Sequence, residues 1–221
     1  MLQVPEDCAT LKEAVRTAST DSTIHIIVIG KGKHRVEKDG GGLHYLHIDF
    51  PITIIGSGKK KDVVILGGFV INNEESQDMV NLRNMTIRHS KKKGSGIVGK
   101  SSFQLEDVIV ERCDGFGVVA SGTFGVAVCT NVEVRQCGYS GVYASYGGSI
   151  TLSGLTTTVH HNSTKGDSKH FGLLVLGALS EILLVHPLTK EIVATNNQGG
   201  GEWGASDEAT LDQISIQLIL N

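Results

Sequence analysis

Arg88, Glu111, Arg135 and His160 recur at intervals of twenty-odd residues, each near the end of a short run of alternating apolar residues. Two guanidiniums, a carboxylate and an imidazole in line can grip an acidic sugar. The same line of alternating charge also suits the solvent face of any soluble sheet, where opposite charges on neighbouring strands relieve repulsion. Tyr143 and Tyr146, with Tyr139 close by, offer ring faces on which the apolar side of a sugar packs. His160 and His161 are adjacent. Neighbours on a strand point to opposite faces, so the two imidazoles are not expected to share a metal: one faces outward and the other turns into a corner. No metal site is expected. Gly67-Gly68 and Gly199-Gly200-Gly201 read as turns, because no helix follows at the spacing a phosphate loop needs.

The elements that must hold these side chains are legible between Met79 and Asn162, where one phrase occurs four times. Leu82, Leu105, Cys129 and Leu152 superpose, as do Met85, Val108, Val132 and Leu155, and then Ile87, Val110, Val134 and Val159. All of these are expected to point inward. Asn84, Asp107, Asn131 and Gly154 precede the second column and are residue types that tolerate a left-handed turn. Ser90, Cys113, Cys137 and Asn162 follow the strand as a candidate internal ladder. The fourth copy needs a two-residue insertion near Thr156 and Thr157. Between the copies lies a second phrase, a Gly followed by a short apolar strand: Gly96 to Gly99, Gly117 to Ala120, Gly141 to Ala144 and Gly172 to Val175. Val, Ile and Thr at period two, without any helical stripe, exclude a helical repeat. Three short strands and their turns use about twenty residues, which predicts a stack of such turns burying one continuous core.

These repeats, with the opening Ala9-Thr10-Leu11-Lys12-Glu13-Ala14-Val15, the strand Ile24 to Val28 and the strand Ile52 to Gly56, resemble the right-handed parallel β-helix proteins of the pectin-lyase-like superfamily. The resemblance implies an all-β, single-domain right-handed parallel β-helix with a short N-terminal capping α-helix. Residues 1–22 form the N-terminal cap, 23–197 the coils and 198–221 the C-terminal cap. It also implies a set of activities. In polysaccharide lyases of that kind an Arg, Lys, His or Tyr takes the proton beside a uronate carboxylate, and a cation or calcium neutralises the carboxylate. Carried over residue by residue, Arg135 is the neutraliser or base and His160 an acid or base, with Arg88, Glu111, Tyr143 and Tyr146 on the substrate. The calcium enzymes need clustered carboxylates. Here Glu106, Asp107, Glu111, Asp114 and Glu133 fall in different columns, and the paired aspartates of β-helix hydrolases and the Asp-Pro-His-Asp type motif of alginate epimerases are absent.

Three functions therefore stand open: a module that binds glycan or protein along its side without a catalytic site, a lyase or epimerase acting on a uronate polymer, and a protein-interaction or assembly repeat. An acidic polysaccharide is the expected partner. No cofactor is expected, except calcium in the lyase case. The outward column Val98, Val119, Tyr143 and Leu174 is an apolar stripe that needs cover from the 163–170 loop, the C-terminal tail or a second chain, so it is a candidate self-association surface. A net charge of −3 gives no sign of nucleic acid. The lysine runs 59–61 and 91–93 read as solvated loops. No apolar span of membrane length occurs, and the first seven residues lack a signal-peptide pattern. This reads as cytoplasmic by default and as secreted if a signal was removed. Cys8, Cys113, Cys129 and Cys137 are expected as buried thiols. Sequons stand at Asn84 and Asn162. Thr10 to Ala18 is expected as a helix, Lys31 to Gly42 as a polar loop, and Leu211 to Leu220 as the closing segment.

Overall fold

A computed structural model of the chain describes residues 1–38, 42–73, 79–89 and 94–217. Ser90 of the expected ladder, the 91–93 lysines and residues 218–220 of the closing segment lie outside the described residues. Strands dominate, and every pairing among the described residues is parallel, in a 14-stranded and a 7-stranded sheet.

The strands form three rows. The first holds Leu2–Val4, Ile26–Ile29, Thr53–Gly56, the opening halves of Val80–Arg88 and Phe103–Glu111, then Val126–Thr130, Ser149–Ser153, Glu181–Val185 and Ile214–Gln217. The second holds Gly32–Arg35, Val63–Leu66, the closing halves of Val80–Arg88 and Phe103–Glu111, then Glu133–Arg135, Thr158–His160 and Ala194–Thr195. Both belong to the larger sheet. The smaller sheet is the third row: Tyr45–Ile48, Gly68–Ile71, Ile97–Gly99, Val118–Ser121, Val142–Ser145, Leu173–Leu176 and Trp203–Ser206. The chain visits the rows in the same order on each lap, so each strand pairs with those one lap away.

Backbone chirality explains the bends. Asn84, Asp107, Asn131 and Gly154 have φ of 55°, 52°, 55° and 84°, the left-handed values expected between the first and second rows. A second left-handed position follows the second row at Arg112, Gln136, His161 and Asn196. Only the asparagine there is a residue type that signals such a turn.

Register places the expected columns side by side. Ile27, Ile54, Leu82, Leu105, Cys129, Leu152 and Leu184 are consecutive neighbours, all essentially inaccessible. Ile65, Ile87, Val110, Val134 and Val159 form the second such column. Removing these side chains from water is the main stabilising term, at about 1.5–3 kcal/mol each. Four expectations need correction. Leu155 does not point inward: it is 79% exposed, and Thr157, 1% exposed, takes the core position beside Val132. The extra residues leave the stack directly after Gly154, and Thr157 satisfies its hydroxyl internally on the Ser153 carbonyl. The polar 31–42 segment contains the strand Gly32–Arg35, which lacks an apolar alternation because it sits at the end of its row, paired only with Val63–Leu66. Strands continue through 203–206 and 214–217, inside the segment expected as a C-terminal cap. Finally, Lys60 is not simply solvated: its carbonyl accepts from Thr86 and its ammonium lies 3.4 Å from the Asn131 carbonyl, folding the 57–62 loop over the second row.

The expected N-terminal helix is present as Leu11–Thr20. Thr10 accepts from the Glu13 N–H at 3.1 Å, and the Glu13 carboxylate reaches back to the Ala9 N–H at 3.0 Å. Its buried face is Leu11, Ala14, Val15 and Ala18. The four cysteines are free and buried. Burial pushes the Cys129 thiol up to about 12. The ladder continues from Cys113 and Cys137 into Asn162 and Asn197. Asn162 Oδ1 accepts from the Cys137 N–H at 3.1 Å, and its amide donates to Val134 O at 2.9 Å and Asn197 Oδ1 at 3.1 Å. With no exposed surface, Asn162 offers nothing to a glycosylation enzyme in the folded chain.

Candidate functional site: an ionic row and an aromatic groove

The structure divides the sequence-chosen site residues between two surfaces. Arg88, Glu111, Arg135 and His160 are consecutive neighbours on the outward side of the second row. Their groups close on one another. Glu111, whose side chain is 4% exposed, takes Arg88 on one oxygen and Arg135 on the other, with Arg135 Nε at 2.9 Å and Nη2 at 2.6 Å. Arg135 Nη1 donates to Glu133 at 2.6 Å, and Glu133 also meets His160 Nε2 at 3.3 Å. Burial works to raise the Glu111 pKa, but hydrogen bonds and charge from the two guanidiniums outweigh it and hold the carboxyl below its usual value. Burial likewise works to lower the Arg135 pKa, and Glu111 and Glu133 override it, so the guanidinium stays charged and is a poor base. Glu133 was missed as a member of this row. Its signal was the two-residue spacing from Arg135, which puts both on one face of the strand.

His160 and His161 do meet, contrary to the strand argument. His161 has φ of 55° and so has left the strand alternation. The two Nδ1 atoms lie 2.8 Å apart, one donating and one accepting, with ring planes at 83°. Among the described residues no group of three or more His, Cys, Asp or Glu could hold a metal ion.

Tyr143 lies on the outward side of the third row, in a different sheet from Arg135 and His160. The stripe register is as expected, with Val98, Val119, Tyr143 and Leu174 in line. The chain itself covers much of it: Val119 is 6% and Leu174 3% exposed. Part of the cover is aromatic. The Phe116 ring stacks on Tyr143 with centroids 4.8 Å apart and planes at 16°, and it meets His170 edge-on at 5.3 Å. His170 stacks on Tyr139 at 4.4 Å, and Lys165 sits 4.5 Å above the Tyr139 centroid while bonding Asp114 at 3.0 Å. Phe171 lies over Gly204, where any side chain would collide with the ring. This is why the stripe ends in glycine at Gly204.

What remains open is a groove of about 540 Å³ beside this cluster. Tyr143, Leu174 and Leu176 supply its apolar floor, with Lys169 and His170 on one side and Ser206 and Asp207 on another. Burial raises the Tyr143 pKa, keeping its hydroxyl protonated as a donor. Burial also lowers the His170 pKa, Asp167 opposing, so that ring tends to neutrality. Tyr146 does not join Tyr143 in a platform. It is 70% exposed in the turn after the strand, with φ of 53°. The groove residues Phe116 and Phe171 were not singled out from sequence. A signal existed, since each directly precedes the Gly that opens a third-row strand. No helix among the described residues is long and apolar enough to cross a membrane.

No protein-family model matches this chain, nor does any curated protein or solved structure match it significantly.

Proposed function

We propose that this chain is a right-handed parallel β-helix, similar to the pectin-lyase-like superfamily, that binds a glycan in the third-row groove without turning it over. The wound reading is supported by three strand rows visited in constant order, uniformly parallel pairing and matched inward columns. The hand follows from the strong right-handed preference of crossovers between parallel strands. The binding reading rests on one observation: an open groove of about 540 Å³ with a tyrosine–leucine floor and polar groups at its rims. Sugars need that combination, because their C–H faces pack on apolar surface while their hydroxyls require fixed donors and acceptors. Lys169 in the groove lining favours an acidic sugar.

Titration calorimetry with uronate and neutral oligosaccharides tests this. Uronate binding should weaken about tenfold in Tyr143→Ala, equivalent to about 1.4 kcal/mol, and vanish in Leu176→Trp, which fills the groove. Absence of binding, or binding indifferent to Leu176→Trp, would remove the proposal. The adjacency of Arg135 and His160 on neighbouring strands keeps a second reading alive, a uronate lyase working on the second row with or without calcium. Its signature is new absorbance from unsaturated product that disappears in Arg135→Ala. In the binding reading no such absorbance forms.

A further inference from the structure

The corner between the third and first rows carries three exposed apolar side chains that the groove reading does not use. Ser121, Ser145, Leu176 and Ser206 are neighbours in register, so the turns that follow them stack. The first turn is closed by the Gly125 N–H on the Gly122 carbonyl at 2.9 Å, the second by Gly148 on Ser145 at 3.0 Å, and the third by Ser180 on Gly177 at 3.1 Å. One large apolar side chain stands out from each: Phe124 at 72% exposure, Tyr146 at 70% and Leu179 at 78%. Turn chemistry calls for Gly, Asn, Asp or Ser at such places and for none of these three. Tyr146 is also held at φ 53°, a backbone conformation that Gly or Asn adopts readily and a bulky residue does not. A strained aromatic that buries little against its own chain points to a contact outside it.

The charges at the two ends of this ridge identify the partner. Gly99 pairs with Ala120, which sets the exposed Lys100 beside Ser121, one lap before Phe124. Asp207 and Glu208, both exposed, follow Ser206 in the lap after Leu179. Along the corner the order is therefore cation, Phe, Tyr, Leu, carboxylates, one step per lap, over roughly 19 Å at the usual strand spacing. A half-turn about Tyr146 maps this order onto its own complement. Tyr146 meets its copy, Phe124 meets Leu179, and Lys100 meets Asp207 and Glu208. Self-complementarity of that kind is what a two-fold interface requires.

We infer that the Phe124–Tyr146–Leu179 ridge is a self-association surface on which a second copy of this chain docks antiparallel, with Tyr146 on the two-fold axis. This surface is distinct from the Val98–Leu174 stripe, much of which the chain covers itself. The small contact predicts a reversible dimer rather than an obligate one.

Sedimentation velocity from about 1 µM to about 500 µM reads this directly. A concentration-dependent monomer–dimer equilibrium is expected. Tyr146→Asn, which relieves the backbone strain and so keeps the fold, should raise the dimer dissociation constant about tenfold or more. Lys100→Glu and Glu208→Lys should each weaken the dimer, and the two together should recover it toward wild type. A monomer at every concentration overturns the inference. So does a dimer unmoved by Tyr146→Asn, or a ridge that captures a foreign protein while the chain itself stays monomeric. Glycan titration of the Tyr146→Asn variant keeps the two proposals apart, since groove binding should be unchanged.

Discussion

The second row and the third row use their outward faces in opposite ways. The second row lines up charged groups and spends them on one another: Glu111 is shared by two arginines, and Arg135 is shared by two glutamates. The third row lines up apolar groups, covers most of them with Phe116, Phe171 and the 163–171 segment, and leaves one groove open beside Tyr143. Residue types alone favour the charged row as a site. The geometry favours the aromatic one, because a guanidinium with its donors engaged has little left for a ligand, whereas an apolar floor with polar rims has unmet contacts. Chemical potential in a list of residues is not the same as availability in a fold.

The contrast can be broken most forcefully at Glu111. Glu111→Ala would leave Arg88 and Arg135 facing each other across a half-buried gap. The expected loss is about 2–3 kcal/mol, less than for a fully buried pair because both guanidiniums retain some water. The denaturant midpoint measures it. A change under about 0.5 kcal/mol would return the row to the status of a solvated patch with groups to spare. On the third row, Leu174→Ala should cost about 2 kcal/mol, since this outward leucine is buried like a core residue. An exposed-residue cost there would mean that the aromatic cover is loose.

A pH titration of stability sharpens the same comparison. The folded Glu111 carboxyl has a pKa below its ordinary value of about 4.5, so as pH falls toward that value the unfolded chain binds the extra proton first. The contribution is present above about pH 4.5 and is lost as pH falls through the lowered folded value. Unfolding free energies from about pH 7 to about pH 3 should show this acid limb in the wild type and a weaker one in Glu111→Gln. The smallest effect tests the register. Leu155→Ala should stay within about 0.5 kcal/mol, whereas Leu152→Ala, three residues earlier, should cost about 3 kcal/mol. Equal costs would restore Leu155 to the core and move the second row in that lap.

Local pattern carried most of the strand rows. Period-two alternation, the Asn, Asp and Gly turn positions and the glycines opening third-row strands depend on backbone sterics and on which face is buried, and both are written into neighbouring residues. Thus the inward columns through Leu105 and Val110, the outward row from Arg88 to His160 and the N-terminal helix were legible without coordinates. Where local signal thins, legibility stops. Gly32–Arg35 has no apolar face to announce a strand, the 154–157 insertion has two ways to return to the core, and Arg112, Gln136 and His161 give no hint of a left-handed backbone. Only the tertiary structure decided what each outward side chain finds opposite it. Glu133 joins Arg135 to His160, Phe116 lies on Tyr143, and Phe124, Tyr146 and Leu179 are left standing on one corner. Those outcomes depend on residues a lap or more apart, and on whether a partner one strand spacing away satisfies a group or leaves it exposed.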